Sequence, residues 1–256
     1  MQTDDGLSSP ACEIHRHADL GAMSDALASA LAEALAQALA VRGEASFAVS
    51  GGRTTLPLFE RLARRPLDWA RVHVTLTDER IVPVSDPASN ERLVREHLLQ
   101  GAAAGARFHP LMNGYEDPDV RAQAAWEQLA WLPRPFDAVV LGLGEDGHVA
   151  GLFPDAPSTA AALDPAAAPG CVTTTAPFAP VERLSLNLAA LLDARQLWLL
   201  LAGAAKLAVV EEALRPGAVT ALPVRALLTQ TVVPMRVEWA PIRIESKEGR
   251  QIGSSP

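Results

Sequence analysis

The stretch FDAVVLGLGEDGHVAGLFP, residues Phe136 to Pro154, decides the reading of this chain. A continuous apolar run, Phe136 to Leu141 with only Asp137 interrupting, has the length and β-rich composition of a strand buried on both faces. Gly142, Gly144 and Gly147 then allow tight turning. The run therefore predicts a central strand that opens at its carboxyl end into a loop carrying Glu145, Asp146 and His148. Ligands of open α/β sheets bind at that end of the strands, so this loop is the first candidate site.

Two rival readings of the same letters are weaker. Gly142-Leu143-Gly144-Glu145-Asp146-Gly147 matches G-x-G-x-x-G, but a pyrophosphate cradle needs a helix starting inside the motif. Here Pro154 and Pro157 interrupt the segment after the glycines, and Glu145 and Asp146 put negative charge where a phosphate would sit. A metal site is the other rival, since Glu145, Asp146 and His148 are all ligand types. Neighbouring acids rarely converge on one ion alone, and no second His or Cys cluster accompanies them. Neither a cofactor nor a metal is expected.

Working outward, the strand is one of several alternating with helices. Residues 19–41 are rich in Ala and Leu at helical spacing and predict a long packing helix. Ser46 to Ser50 predicts a strand ending at Gly51-Gly52, followed by a helix with Pro57 in its first turn. Val72 to Thr77 predicts a second strand, ending at Asp78-Glu79-Arg80. Helices are expected over 90–99 and 118–131, a strand over 196–201 and a helix over 204–214. The alternation implies a largely parallel sheet covered by helices on both faces, a Rossmann-like α/β fold. Residues 154–169, rich in Pro and Ala, read as a surface excursion. The expected organisation is an N-terminal arm (1–14), a single α/β domain (15–244) and a polar, disordered tail (245–256).

Composition narrows the partners. The chain has 256 residues, 49% of them hydrophobic, enough for one sizeable core. A formal net charge of −8 opposes nucleic acid and acidic membranes, so an anionic ligand needs a local positive site. Cys12 and Cys171 are too few for a disulfide framework, which suits a reducing compartment. The first ten residues lack the basic and apolar regions of a signal peptide, and no apolar stretch of membrane-spanning length is free of charges or breakers. A cytoplasmic monomer without nucleic-acid or membrane partners is expected.

If the sheet is parallel, Ser50 to Arg53, Asp78 to Arg80, Gly144 to His148 and Gly203 to Lys206 share one edge. The Gly51-Gly52 amides, at a helix start, form either an anion cradle or an ordinary strand-to-helix turn. Only two of the 22 basic residues are lysines, Lys206 and Lys247. Lys206, opening a helix after a glycine-ended strand, suits a point-charge contact to phosphate.

These residues carry a resemblance. SGGRTTLPLFERLA, TLTDERIVPVSDPASNERLV, FDAVVLGLGEDGHVAGLFP and RLSLNLAALLDA, in that order, resemble the glucosamine-6-phosphate isomerase/6-phosphogluconolactonase family over about residues 15–240. The resemblance implies the fold of the glucosamine-6-phosphate deaminases and phosphogluconolactonases, with no dinucleotide bound. Arg80, where deaminases usually have Tyr, and Gly151-Leu152-Phe153-Pro154, where they have Asn-Glu-Pro, point to the lactonase branch. The implied reaction is hydrolysis of 6-phospho-D-glucono-1,5-lactone, a phosphorylated sugar lactone, in the oxidative pentose phosphate pathway.

Within that reading His148 is the candidate general base, since an imidazole titrates near the working pH. Asp146 either orients His148 or caps the loop. Arg80 stabilises the oxyanion, holds the sugar, or pairs structurally with Asp78 or Glu79. Gly51, Gly52, Gly144, Arg53, Arg183 and Lys206 are the candidate substrate and phosphate contacts. Asn90 either meets sugar hydroxyls or, as we prefer, caps the next helix. The chain departs from the family at Gly151, commonly Ser, which is expected to loosen the loop, and at Arg53, commonly Ser or Thr.

Overall fold

The computed structural model describes residues 12–242. Ten strands run in the order β1 (Cys12–Arg16), β2 (Ala45–Val49), β3 (Val72–Leu76), β4 (Asp78–Arg80), β5 (Arg107–His109), β6 (Ala138–Gly142), β7 (Cys171–Thr175), β8 (Glu182–Leu186), β9 (Leu197–Ala202) and β10 (Met235–Ala240). Between them lie α1 (Leu20–Arg42), α2 (Leu56–Leu62), α3 (Asn90–His97), α4 (Pro118–Leu129), α5 (Thr159–Ala162), α6 (Leu188–Leu192), α7 (Ala204–Ala213) and α8 (Val224–Leu228).

Seven strands form one wholly parallel sheet, ordered β1-β10-β9-β6-β2-β3-β5. Every residue of β2 and β3 is buried, as are the apolar residues of β6 and the first five of β9, which is why these strands read as unbroken apolar runs. The chain steps from β2 outward to β3 and β5, then returns through β6, β9 and β10. Right-handed crossovers therefore put α1 and α2 on one face and α4 and α7 on the other. The direction of travel reverses between β2 and β6.

Asp19 caps α1 by accepting from the Ala22 N–H at 2.8 Å, and Gly43, at φ 82°, ends it in the left-handed conformation. By length and hydropathy α1 is long and apolar enough to cross a membrane, which the sequence reading set aside. Here Met23, Leu27, Leu31 and Leu35 are buried in the core beneath it.

Three expectations change. Residues 12–14 are not arm: Cys12–Arg16 pairs along β10 as an edge strand, its short polar-alternating CEIHR carrying little strand signal. Asp78-Glu79-Arg80 is not a loop but strand β4 of a second, antiparallel sheet, β4-β8-β7, which the sequence reading did not foresee. Residues 154–169 are no mere excursion, since they fold α5 and bury Thr159, Ala162 and Leu163. Residues 1–11 and the tail assigned to 245–256 lie outside the described residues.

Candidate active site

The carboxyl ends of β2, β6 and β9 open into a cleft of about 220 Å³ at the point where strand order reverses. Its lining draws on all four segments expected to meet there: Gly51, Gly52 and Arg53; Asp78 and Arg80; Gly144 and His148; and Lys206.

His148 and Asp146 form its most definite chemical unit. Asp146 Oδ1 lies 2.6 Å from His148 Nδ1 and also accepts from the His148 backbone N–H at 3.2 Å. A carboxylate only accepts, so this contact puts the imidazole proton on Nδ1 and leaves the Nε2 lone pair free. Burial pushes the Asp146 carboxyl up, but the hydrogen bonds and charge of His148 outweigh it and hold Asp146 below the usual carboxylate range. Asp146 thus contacts both the His148 ring and the loop backbone.

The glycines of this loop have specific work. A Cβ on Gly144 would stand 2.1 Å from His148 Nδ1 and 2.3 Å from Asp146 Oδ1, so any side chain there would displace the pair. Gly144 N–H donates to His148 O at 3.0 Å, closing the turn. Gly151 does not loosen the loop as expected. It is buried, donates to Ser185 Oγ at 3.0 Å and accepts from Thr174 Oγ1 at 2.5 Å, pinning the loop to the small sheet.

Opposite, the Gly51-Gly52 turn is shaped by Asn90. A Cβ on Gly51 would fall 1.9 Å from Asn90 Oδ1, while Gly52, at φ 116°, has open space around it. Asn90 is not the helix cap. Ser89 caps α3, accepting from the Arg92 N–H, and Asn90 instead donates through Nδ2 to Asp78 O at 2.8 Å and lines the cleft. Sequence reasoning missed the larger cap: the buried Glu79 carboxylate accepts from the N–H groups of Arg80, Asn90 and Glu91, and from Ser89 Oγ, at 2.6 to 3.1 Å. Burial raises the Glu79 pKa, against the pull of those backbone donors. Ten residues separate Glu79 from Ser89, so no local motif announces the contact.

The cations are distributed unevenly. Arg80 lines the cleft and its Nη1 donates to Ala88 O at 2.5 Å, so it is tied to the backbone rather than paired with Asp78 or Glu79. Burial pushes the Lys206 ammonium below its usual value; Glu145 opposes the shift and Arg53 adds to it. Arg53 is exposed at the rim. Arg183 does not line the cleft. It is 2% exposed, pairs across β4 and β8 with Arg80, donates to Pro180 O, and sets its guanidinium 5.7 and 5.9 Å from the Phe153 and Phe178 ring centroids. That is the position of a strut behind the site rather than a phosphate clamp. Burial, then the charge of Arg80, lowers its pKa.

Comparison with known proteins identifies the family. Residues 18–237 match the family described as "Glucosamine-6-phosphate isomerases/6-phosphogluconolactonase". The chain belongs to that family. The 6-phosphogluconolactonase of Pseudomonas putida is 42% identical over 90% of this chain and 94% of its own, and that of Rhizobium meliloti is 41% identical over 90% of this chain and 100% of its own. Among solved structures, a 6-phosphogluconolactonase from Shewanella baltica superposes with a TM-score of 0.86 at 43% identity, covering 90% of this chain and 97% of that one.

Proposed function

We propose that this protein hydrolyses 6-phospho-D-glucono-1,5-lactone to 6-phospho-D-gluconate, the second step of the oxidative pentose phosphate pathway, by general-base activation of water and without metal or cofactor. The observation that carries the proposal is the His148–Asp146 pair, 2.6 Å apart, on the wall of a cleft that also holds Arg80, Arg53 and Lys206. The names and near-complete overlap of the relatives support the same substrate.

The chemistry can be written atom by atom. His148 Nε2 takes a proton from water as the oxygen attacks the lactone carbonyl, and Asp146 stabilises the imidazolium that forms. Arg80 faces the negative charge that develops on the carbonyl oxygen. Collapse of the tetrahedral intermediate breaks the bond to the ring oxygen, which receives the proton back from Nε2, leaving a hydroxyl and a carboxylic acid that releases its remaining proton to solvent as the carboxylate. The Gly51 and Gly52 amides with Lys206 and Arg53 hold the 6-phosphate, which positions the carbonyl over the base.

The test is the decay of freshly generated 6-phosphogluconolactone, corrected for spontaneous hydrolysis, beside an assay of glucosamine-6-phosphate deamination. Lactone turnover without deamination is expected. His148→Asn should cost about a hundredfold to ten-thousandfold in kcat while the chain stays folded. Deamination in place of lactone hydrolysis, or full turnover by His148→Asn, overturns the proposal.

A further inference from the structure

The hydrogen bond to Asp146 holds His148 Nδ1, yet small coupled rotations about Cα–Cβ and Cβ–Cγ can keep that bond while displacing Nε2. A base needs its other nitrogen held in place as well, since a displacement of about 1 Å at a reacting group costs up to a hundredfold in rate. Packing must limit those rotations, and two aromatic side chains lie together on one side of His148. The Phe153 centroid is 4.5 Å from the His148 centroid at 37°, and the Phe178 centroid 6.2 Å at 51°. Phe178 meets Phe153 edge-on at 5.7 Å and 85°.

The two phenylalanines differ in their reason for being there. Phe153 is 1% exposed and belongs to the core. Phe178 is 49% exposed, in the loop 176–181 between β7 and β8, so burial accounts for little of its placement. A single exposed aromatic is ordinary. This one is held against the candidate base by its surroundings: Ala176 N–H donates to Val181 O at 2.7 Å across the loop, and the buried Arg183 donates to Pro180 O while flanking both rings.

We propose that Phe178 is a positioning residue for His148, the outer member of an aromatic cluster that supports one side of the ring and keeps Nε2 directed at the substrate carbonyl, with Arg183 as the brace that holds the loop carrying it. The proposal rests on the reading of His148 as the base. It separates the two arginines paired across the small sheet: Arg80 serves the cleft and Arg183 serves the wall behind it.

The experiment compares wild type with Phe178→Ala, Phe178→Tyr and His148→Asn on 6-phosphogluconolactone, with thermal denaturation of each. Phe178→Ala should lower kcat by about tenfold or more, leave KM within about twofold, and leave the melting temperature near wild type. Phe178→Tyr, which keeps the ring, should restore kcat. Wild-type kcat in Phe178→Ala while His148→Asn is inactive overturns the positioning role and spares the lactonase reading; full activity in His148→Asn overturns the lactonase reading itself. A raised KM at unchanged kcat would make Phe178 a substrate contact and overturn the positioning role, as would a loss of kcat that tracks a fall in melting temperature.

Discussion

At residue 206 a lone ammonium carries two constraints at once: it lies half-buried at the start of α7, and the charges of Glu145 and Arg53 act on it in opposite directions. Lys206→Ala should weaken binding of 6-phosphogluconate by about 2 kcal/mol, roughly thirtyfold, with little loss of stability. The preference for phosphorylated over unphosphorylated gluconolactone should shrink with it. Because burial disfavours the charged form, the lysine's contribution to binding is full near neutral pH and fades as pH rises through a value below the ordinary ~10.4 of a lysine. Titration calorimetry of 6-phosphogluconate from about pH 7 to about pH 10 checks the sign: wild-type affinity should fall by more than that of the variant. Equal affinities throughout would move the anchor to Arg53. Lys206, His148 and Asp146 were legible in the sequence because each stands within a few residues of the strand end that delivers it. The place of Arg183 was not, since its partners, Pro180 and two phenylalanine rings, become its neighbours only when β7 and β8 pair.

At the scale of elements, β4 and α3 are joined through one carboxylate. Glu79 satisfies the first free N–H groups of α3 from a neighbouring strand, work that usually falls to the residue just before a helix. Glu79→Ala would strand those donors in a buried site at a cost of about 3 kcal/mol, and Asn90 and Arg80 would lose their setting together. Urea denaturation should show the lost stability, and lactone turnover should fall even where the variant is still folded. Glu79→Gln, which keeps one acceptor oxygen, should lie between. The parallel strands were readable because strands covered on both faces are apolar throughout. The small sheet was hidden for the opposite reason: β4 is three residues of DER and β7 is CVTTT, and neither shows an apolar run.

At the scale of the molecule, every candidate group except Arg183 converges on one edge of the sheet, and among the described residues no three His, Cys, Asp or Glu side chains gather to hold an ion. Exhaustive chelation should leave lactone turnover unchanged, measured before and after dialysis against a strong chelator; activity lost and then restored by zinc would require another mechanism. The edge that holds the cleft follows from the parallel direction of the strands, which the alternation of elements implied, whereas β1 and β10 were missed because their pairing joins residues far apart in the chain, Cys12 with Met235.

The three strands that lead into the Gly51-Gly52 turn, the His148 loop and Lys206, β2, β6 and β9, lie side by side in the sheet. Neighbouring strands repeat at about 4.8 Å, a spacing set by backbone hydrogen bonds and indifferent to side chains. The sheet is therefore a ruler. Under the lactonase reading it measures the span from phosphate to carbonyl in units of strand width, so a sugar phosphate one carbon shorter would reach the anchor or the base but not both. Selection could exchange the residues along that edge freely without altering the length it gauges.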